Sequence, residues 1–290
     1  MTLQGPIVIG TDLTPRADEA LRQAHRLATD LGSALIVCHV LPELLSVRVL
    51  FPQWAGVDPQ AHEALTAKAL AAVEQQLVAV VGGTSPSVSI MLDSGSPHAG
   101  LLTQAEAAGA GLIVTGPGRV AGRVVRHATV PVLIARPSPH GVVIGATDFS
   151  DPSLPALETA AFEARRRKSP LHLLHVVDLG AYALGGAGGG LPYLGETPIV
   201  ALQSLDDLRA AAQARLEETL KQFAIVGRAS AVSGPAAGTI IGVAESSGAE
   251  LLVVGTHGRS GFARMALGST AEAVIDSAPC SVLVVRLARE

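Results

Sequence analysis

The chain has 290 residues, of which 48% are hydrophobic and only 3% aromatic, and its formal net charge is -4. That length accommodates two domains of ordinary size, and a core of small aliphatic residues is typical of sheets covered by helices. A negative net charge disfavours nucleic acid as a partner, because such binding requires many Lys and Arg contacts with phosphate. The chain begins without the features of a signal peptide and has no uninterrupted apolar run of membrane-spanning length, so we expect a cytoplasmic protein with no membrane partner.

One pattern occurs twice along the chain. An apolar strand ends in Asp12 in the first half and in Asp148 in the second, and a predicted helix with an early proline follows each strand. The next strand is continuously apolar, as buried parallel strands are, and carries His39 in the first half and His175 in the second. Strands that alternate with helices predict an α/β fold with a parallel sheet. The two predicted domains are 1–137 and 141–290.

Each half also contains a long irregular stretch after its second strand, residues 41–60 and 178–200. Five of the six residues from 185 to 190 are glycine. Because no strand and helix flank this run, we interpret it as a mobile loop or lid rather than as a phosphate-binding loop.

The most informative segment follows an apolar strand in the second half. Glycines at 255 and 258 allow a ligand to approach the backbone, while Gly268, Ser269 and Thr270 open a predicted helix. The free N–H groups and hydroxyls at such a helix start can donate to phosphate oxygens. In open α/β sheets, ligands lie beyond the carboxyl ends of the strands, where this segment begins.

A structural alternative exists for each of these residues. Isolated glycines close tight turns, Ser269 on its own would be a helix cap, and Asp148 on its own would be an acid near a helix N-terminus. The complete spacing directly behind a strand favours ligand binding over these alternatives.

Gly258 and Gly268 enclose nine residues, which gives Gly-x2-Gly-x9-Gly-Ser, and this pattern resembles the ATP-binding members of the universal stress protein family. The resemblance extends over both halves through the strands that end in Asp, the apolar His-Val strands and the closing Ala-Pro-Cys-Ser-Val-Leu-Val-Val run. It implies two tandem open parallel five-stranded sheets flanked by helices, of the Rossmann-like adenine nucleotide alpha hydrolase type. It also implies that the two domains pack about a pseudo-two-fold with their final strands side by side.

By the same resemblance, the second domain binds ATP together with Mg²⁺. Asp148 would hold the ribose, the backbone near 146, 147 and 176 would line the adenine, and the glycine segment would hold ribose and phosphates. His257 and Arg259 would be additional contacts. The predicted binding residues are Ala146, Thr147, Asp148, Val176, Gly255, His257, Gly258, Arg259, Gly268, Ser269 and Thr270.

The first half departs from this pattern after Gly116-Pro-Gly-Arg119. From Gly118 to Val132 is 14 positions, whereas 24 positions separate Gly258 from Val282, so ten residues are absent. Those ten would hold phosphates. Asp12 and Val40 remain, and an adenosine-like group would dock there only weakly, so we interpret the first domain as a degenerate structural partner.

No catalytic group and no metal site is evident from the sequence. His172 and His175 should point to opposite faces of their strand, and Cys38 and Cys280 lie in apolar runs, where we expect buried reduced thiols. We therefore expect a nucleotide-sensing stress-response protein rather than an enzyme, which forms homo-oligomers and has a client protein. One alternative is a slow ATPase or nucleotidyl transferase that uses Asp148, His257 and Arg259. The other is an interaction or dimerisation protein with a vestigial nucleotide motif.

Overall fold

The computed structural model of the protein describes residues 5–41, 59–83, 87–150, 153–178, 205–256 and 267–286. The chain separates into two compact units, Thr2–Arg136 and Pro137–Glu290. The glycine-rich run at 185–190 and most of both irregular stretches lie outside the described residues, so their interpretation stays a prediction. The same holds for the packing of the two units about a pseudo-two-fold.

The N-terminal unit alternates strands with helices throughout its described part. Its elements are β1 Ile7–Thr11, α1 Pro15–Leu31, β2 Leu35–Leu41, α2 Pro59–Val81, β3 Val88–Ser94, α3 Pro97–Ala107, β4 Leu112–Thr115, α4 Arg119–His127 and β5 Val132–Ile134. The strands pair in the order β3-β2-β1-β4-β5, and every pair is parallel. The chain therefore builds the sheet from β1 toward β2 and β3 on one side and toward β4 and β5 on the other side.

The C-terminal unit repeats this arrangement. Its elements are β6 Val142–Thr147, α5 Leu154–Arg167, β7 Leu171–Val177, α6 Leu205–Phe223, β8 Gly227–Ser233, α7 Ala236–Ser246, β9 Ala249–Gly255, α8 Ser269–Ser277 and β10 Ser281–Val285. The parallel order β10-β9-β6-β7-β8 places β6 where β1 lies in the other unit. The predicted α/β class with parallel, Rossmann-like sheets is confirmed.

Central strands are buried on both faces because helices cover both sides of the sheet. In β4 every residue is buried, which requires the continuous Leu, Ile and Val run of the sequence. Edge strands β3 and β8 carry more exposed positions and a weaker apolar pattern.

Helix α2 is the one helix in the described part of the chain that is long and apolar enough, by length and composition alone, to cross a membrane, over Glu63–Val81. Its buried residues Ala69, Val73 and Leu77 recur every four positions. That stripe is typical of a helix that packs against a sheet, and α2 contacts α1, β2 and β3.

The basic run at the end of α5 has a structural role. Arg166 and Arg167 form ion pairs of 2.7 and 2.9 Å with the buried carboxylate of Glu163. Burial alone would raise the pKa of Glu163, but the hydrogen bonds and charges of the two arginines outweigh it and lower that pKa. Arg165 donates to the carbonyl oxygen of Phe223 at the end of α6. The basic run therefore stabilises the end of α5 through ion pairs within the helix and a hydrogen bond to the end of α6.

Candidate functional site

A cleft opens at the carboxyl ends of β6 and β9, where the crossovers of the C-terminal unit diverge. Ligands of open α/β sheets bind at such a topological switch point. The cleft has a volume of about 160 Å³. Its lining residues are Ala146, Thr147, Asp148, Ser153, Val176, Ala236, Ile240, Val254, Gly255, Thr256, Gly268, Thr270 and Ala271.

The cleft brings together predicted residues from four separate elements and loops. Seven of them line it, namely Ala146, Thr147, Asp148, Val176, Gly255, Gly268 and Thr270. Ser269 is the first residue of α8 and is not among the lining residues, whereas His257, Gly258 and Arg259 lie outside the described part of the chain. Sequence reasoning missed Ala236 and Ile240, which the four-residue spacing behind Gly234-Pro235 could have placed on one face of α7.

The carboxylate of Asp148 is fixed by the turn that follows β6. Its Oδ1 accepts hydrogen bonds from the backbone N–H of Ser150 at 3.0 Å and from the hydroxyl of Ser150 at 2.5 Å. Between them, Phe149 has a φ of 62°, in the left-handed region that a bulky residue seldom adopts. Ser153, not Asp148, is the N-cap residue of α5. Asp148 therefore does not itself cap α5.

Two side chains support this turn from outside the cleft. His175 Nδ1 donates to the carbonyl oxygen of Thr147 at 2.8 Å, and the rings of His175 and Phe149 lie 4.5 Å apart. Arg215 of α6 lies over the ring of Phe149, with its Cζ 4.5 Å from the ring centroid. The left-handed residue is thus held between β7 and α6.

The N-terminal unit contains the same turn with the same hydrogen bonds. Asp12 Oδ1 accepts from the N–H of Thr14 at 3.0 Å and from its hydroxyl at 2.6 Å. Leu13 also has a φ of 62°, and His39 Nδ1 donates to the carbonyl of Thr11 at 2.9 Å. The two repeats therefore have the same backbone conformation and the same hydrogen bonds in this turn.

One side of the C-terminal cleft is formed by the start of α8. Gly268 is the N-cap residue, and its N–H donates to the carbonyl of Thr256 at 3.0 Å. Its φ of -62° is accessible to any residue, and among the described residues a Cβ placed there would meet only the Thr256 oxygen, at 3.5 Å. Because the fold itself does not require glycine at 268, the missing side chain leaves room for a ligand beside the free N–H groups of α8.

The N-terminal unit differs from this arrangement in its loop and not in its helix. The register of β4 with β5 aligns Ile113 and Val132 as the register of β9 with β10 aligns Leu252 and Val282. Helix α4 begins directly after Gly118, so Gly118 corresponds to Gly268 and not to Gly258. The alignment of Gly118 with Gly258 that the sequence suggested is therefore wrong.

This alignment changes the account of what the first half lacks. Two positions separate Gly116 from Gly118, whereas thirteen separate Gly255 from Gly268, so the loop is eleven residues shorter. The start of the helix is retained. The two hydroxyls of the C-terminal unit are replaced by Arg119 and Val120.

Remaining candidates for chemistry do not form a second reactive centre in the described ranges. Burial, and after it the charge of Asp93, raises the pKa of the Cys38 thiol to about 12, so this thiol is protonated at neutral pH. Cys38 and Cys280 are both buried, as expected, and in the described part of the chain they form no disulfide bond. Among the described residues no group of three His, Cys, Asp or Glu side chains is arranged to hold a metal ion.

Comparisons with known proteins agree with this architecture. The model of the universal stress protein family matches residues 5–136 and again residues 141–286. A universal stress protein of Mycobacterium tuberculosis is 29% identical, over 98% of this chain and 96% of that protein. The crystal structure of a universal stress protein from Archaeoglobus fulgidus superposes with a TM-score of 0.67 at 21% identity, and covers 98% of this chain and 97% of that one.

A second structure from the same organism is described as a universal stress protein in complex with dAMP. It is 24% identical, covers 45% of this chain and 97% of that one, and has a TM-score of 0.34. The two family matches together span almost the whole sequence, so this chain belongs to the universal stress protein family and contains two family domains in tandem.

Proposed function

We propose that the C-terminal unit binds ATP with Mg²⁺ and that the protein acts as a nucleotide-dependent regulator in stress responses. The observation that carries the proposal is the meeting of the Asp148 carboxylate and the start of α8 in one cleft. A nucleotide needs two kinds of partner. One is a carboxylate that accepts hydrogen bonds from the ribose hydroxyls, and the other is a helix start whose N–H groups donate to the phosphates.

The base and the ribose fit the part of the cleft next to β6 and β7. Ala146, Val176 and Ile240 provide apolar surface for a flat heterocycle. Asp148 has its Oδ1 already held by Ser150, so the carboxylate is oriented before any ligand arrives. Such preorganisation reduces the entropy that binding would otherwise cost.

The phosphates fit the start of α8. The N–H groups of residues 269 to 271 precede the first backbone hydrogen bond of the helix, which Glu272 donates to the carbonyl of Gly268. Thr270 adds a hydroxyl at the cleft wall. The helix dipole favours an anion at this end.

Mg²⁺ would enter with the phosphates. Asp148 is the only carboxylate among the described lining residues, and Mg²⁺ commonly binds through one or two carboxylates, phosphate oxygens and water. When bound, the ion would neutralise charge on the β- and γ-phosphates. This donor set suits an ion delivered by its nucleotide.

Regulation is favoured over catalysis by the chemistry of the lining residues. Thr147, Ser153, Thr256 and Thr270 are neutral hydroxyls, and Asp148 is the single ionisable group among the lining residues that the structure describes. A general base poised to activate water is a requirement for fast hydrolysis. We therefore propose slow hydrolysis at most, in a cytoplasmic homo-oligomer whose nucleotide state is recognised by a client protein.

Calorimetric titration of ATP with Mg²⁺ into nucleotide-free protein tests the assignment. In Gly268→Val, side-chain atoms would occupy the space beside the helix start, and ATP affinity should fall by at least about tenfold. Gly242→Val is the matched control, because Gly242 lies on an exposed part of α7 with open space around its Cβ position.

The outcomes separate the candidate functions. Unchanged ATP affinity in Gly268→Val would refute the site, and no binding of any adenine nucleotide to the wild-type chain would favour an interaction protein. Phosphate release over many turnovers at an ordinary enzymatic rate, about 1 per second or faster, would favour an ATPase.

A further inference from the structure

We infer that the outer edge of the N-terminal unit, formed by β3 and the adjacent side of α2, is a surface through which two copies of this chain pair. The partner is a second copy, whose β3 runs antiparallel to that of the first. The inference goes beyond nucleotide binding and does not depend on it. It assigns a surface to the homo-oligomer proposed above.

The two repeats can be compared residue by residue at this edge. Strand β3 begins at Val88 and β8 begins at Gly227, and each of these residues pairs with the first residue of the strand before it. Fourteen positions separate Glu74 from Val88, and the same number separates Gln213 from Gly227. Glu74 of α2 is therefore the counterpart of Gln213 of α6.

In the C-terminal unit, a side chain occupies the free edge of the sheet. The amide of Gln213 donates from Nε2 to the carbonyl oxygen of Ala229 at 3.0 Å, and its Oε1 accepts from the N–H of Ala231 at 2.8 Å. A further strand would form the same pair of hydrogen bonds with β8. Gln213 therefore prevents β8 from pairing with another chain.

The matching edge of the N-terminal unit lacks this protection. The residues that correspond to the two alanines are Ile90 and Leu92, and in the described ranges no side chain bonds to their outward backbone groups. Glu74 has a carboxylate, which cannot donate to a carbonyl oxygen as an amide does. Strand β3 is an edge strand of seven residues with neither proline nor lysine, two residues that commonly keep sheet edges apart.

The side of α2 next to this edge is apolar where its counterpart is charged. Leu70 and Val78 lie four residues before and four residues after Glu74, and they are 38% and 62% exposed. Their counterparts in α6 are Arg209 and Glu217, which are both exposed. Because the same fold accepts charged side chains at both positions, folding does not require the apolar ones. A partner that buries them accounts for their presence.

The sequence of β3 is complementary to itself, which identifies the partner as a second copy. In an antiparallel pair centred on Met91, Ile90 of one copy lies opposite Leu92 of the other, and both present their backbone groups to the pair. Ser89 of one copy lies opposite Asp93 of the other, where the hydroxyl can donate to the carboxylate. A two-fold axis relates the strands, so both α2 helices lie on the same face of the joined sheet.

Sedimentation velocity of the full-length, nucleotide-free protein over about 0.1–100 µM tests this inference. The wild type should form dimers. Glu74→Gln supplies the amide that protects β8, so it should raise the dissociation constant of the dimer by at least about tenfold. Glu74→Ala is the matched control, because it removes the same charge without supplying a donor. It should dimerise at least as tightly as the wild type.

A second variant tests the helix side of the surface. Leu70→Arg combined with Val78→Glu gives α2 the charges of α6, and it should weaken the dimer by at least about tenfold while the melting temperature of the monomer changes little. Hydrogen exchange gives a direct readout of the strand. Amide exchange in β3 of the wild type should slow as the protein concentration rises, whereas exchange in β8 should not change.

Two results would overturn the inference. A wild-type chain that stays monomeric over the whole concentration range would show that another part of the chain, or a different protein, occupies this edge. Self-association that neither Glu74→Gln nor the double variant weakens would place the contact on another surface. Both outcomes are independent of ATP binding, because the measurements contain no nucleotide.

Discussion

The guanidinium of Arg215 lies over the ring of Phe149, with 4.5 Å between Cζ and the ring centroid. This contact connects α6 to the turn that carries Asp148, the residue we assign to the ribose. In the N-terminal unit, Gln76 of α2 connects its helix to the turn that carries Asp12 through hydrogen bonds. It accepts from the hydroxyl of Thr11 at 2.8 Å and donates to Asp18 at 2.7 Å. In both units the long helix after the second strand holds the aspartate turn, but the chemistry differs.

Replacing Arg215 should loosen the Asp148 turn without touching the cleft. Phe149 occupies a strained backbone conformation, which persists only while its surroundings enforce it. Arg215 is exposed, so its cation–π contact is worth about 0.5–1 kcal/mol, and Arg215→Ala should weaken ATP binding by about two- to fivefold. Calorimetry on Arg215→Ala and Arg215→Lys measures this effect.

Two comparisons distinguish positioning from general destabilisation. Lysine retains a cation over the ring, so Arg215→Lys should recover most of the affinity that alanine loses. Gln76→Ala should lower the stability of the N-terminal unit and leave ATP affinity unchanged. Equal affinities for wild type and Arg215→Ala would show that the contact has no part in ligand binding.

The second prediction concerns the charge of Asp148. Asp148→Asn keeps an acceptor oxygen for Ser150 and so preserves the turn, but it removes the negative charge from the cleft. A hydrogen bond to a charged group contributes about 1.5–3 kcal/mol, and a neutral one about 1 kcal/mol, so ATP affinity should fall by about three- to thirtyfold. The melting temperature should change little. Asp12→Asn makes the same change in the other unit, and a comparable loss of ATP affinity there would contradict the assignment of ATP to the C-terminal unit.

Much of the fold could be predicted because the repeat and the buried strands leave strong sequence patterns. Helix α1 and strand β7 lie where the sequence pattern predicts a helix and a strand, because an early proline and a continuous apolar run mark them. Helix α4 was missed. Its nine residues include Gly122 and three valines, which have low helix propensity, and its N-cap is Gly118 without a side-chain cap. The eleven-residue deletion also obscured its correspondence to α8.

The candidate site was predictable where residues follow strand ends and less so where side chains converge from other elements. Gly255 and Asp148 could be placed because parallel strands bring their carboxyl ends to one edge. The contact of Arg215 with Phe149 could not be predicted, because residues 66 positions apart meet only through the packing of α6 on the sheet. The cleft of about 660 Å³ at the carboxyl ends of β1 and β4 could not be predicted either, because its size depends on side chains that meet only in the folded chain.

The last prediction concerns His172, a histidine that is fully buried in β7. Neither of its ring nitrogens has a hydrogen-bond partner among the described residues, and burial, with the nearby charge of Arg228 as a smaller cause, lowers its pKa from 6.5 to about 4. The equivalent position of the N-terminal unit, by the register of the first two strands, is Ile36. An apolar side chain therefore fits this environment better than an imidazole does.

His172→Leu should stabilise the C-terminal unit at neutral pH and further at acidic pH. Between pH 6.5 and about 4, the unfolded chain takes up a proton that the folded His172 does not, so the free energy of unfolding of the wild type falls as the pH is lowered. That loss amounts to about 2–4 kcal/mol over the window, since each pKa unit corresponds to about 1.4 kcal/mol. The leucine variant removes this contribution, and at neutral pH it also gains about 1 kcal/mol because two unpartnered buried nitrogens are gone.

Urea unfolding from pH 7.5 to 4 measures the difference between variant and wild type at each pH. The gap between the two curves should widen steadily below pH 6.5, because only the wild type has a histidine that must stay neutral in the fold. His127→Leu, at an exposed position of α4, is the comparison and should keep the pH dependence of the wild type. A gap that stays constant with pH would show that His172 is protonated in the folded protein, and that a partner for its ring forms in solution.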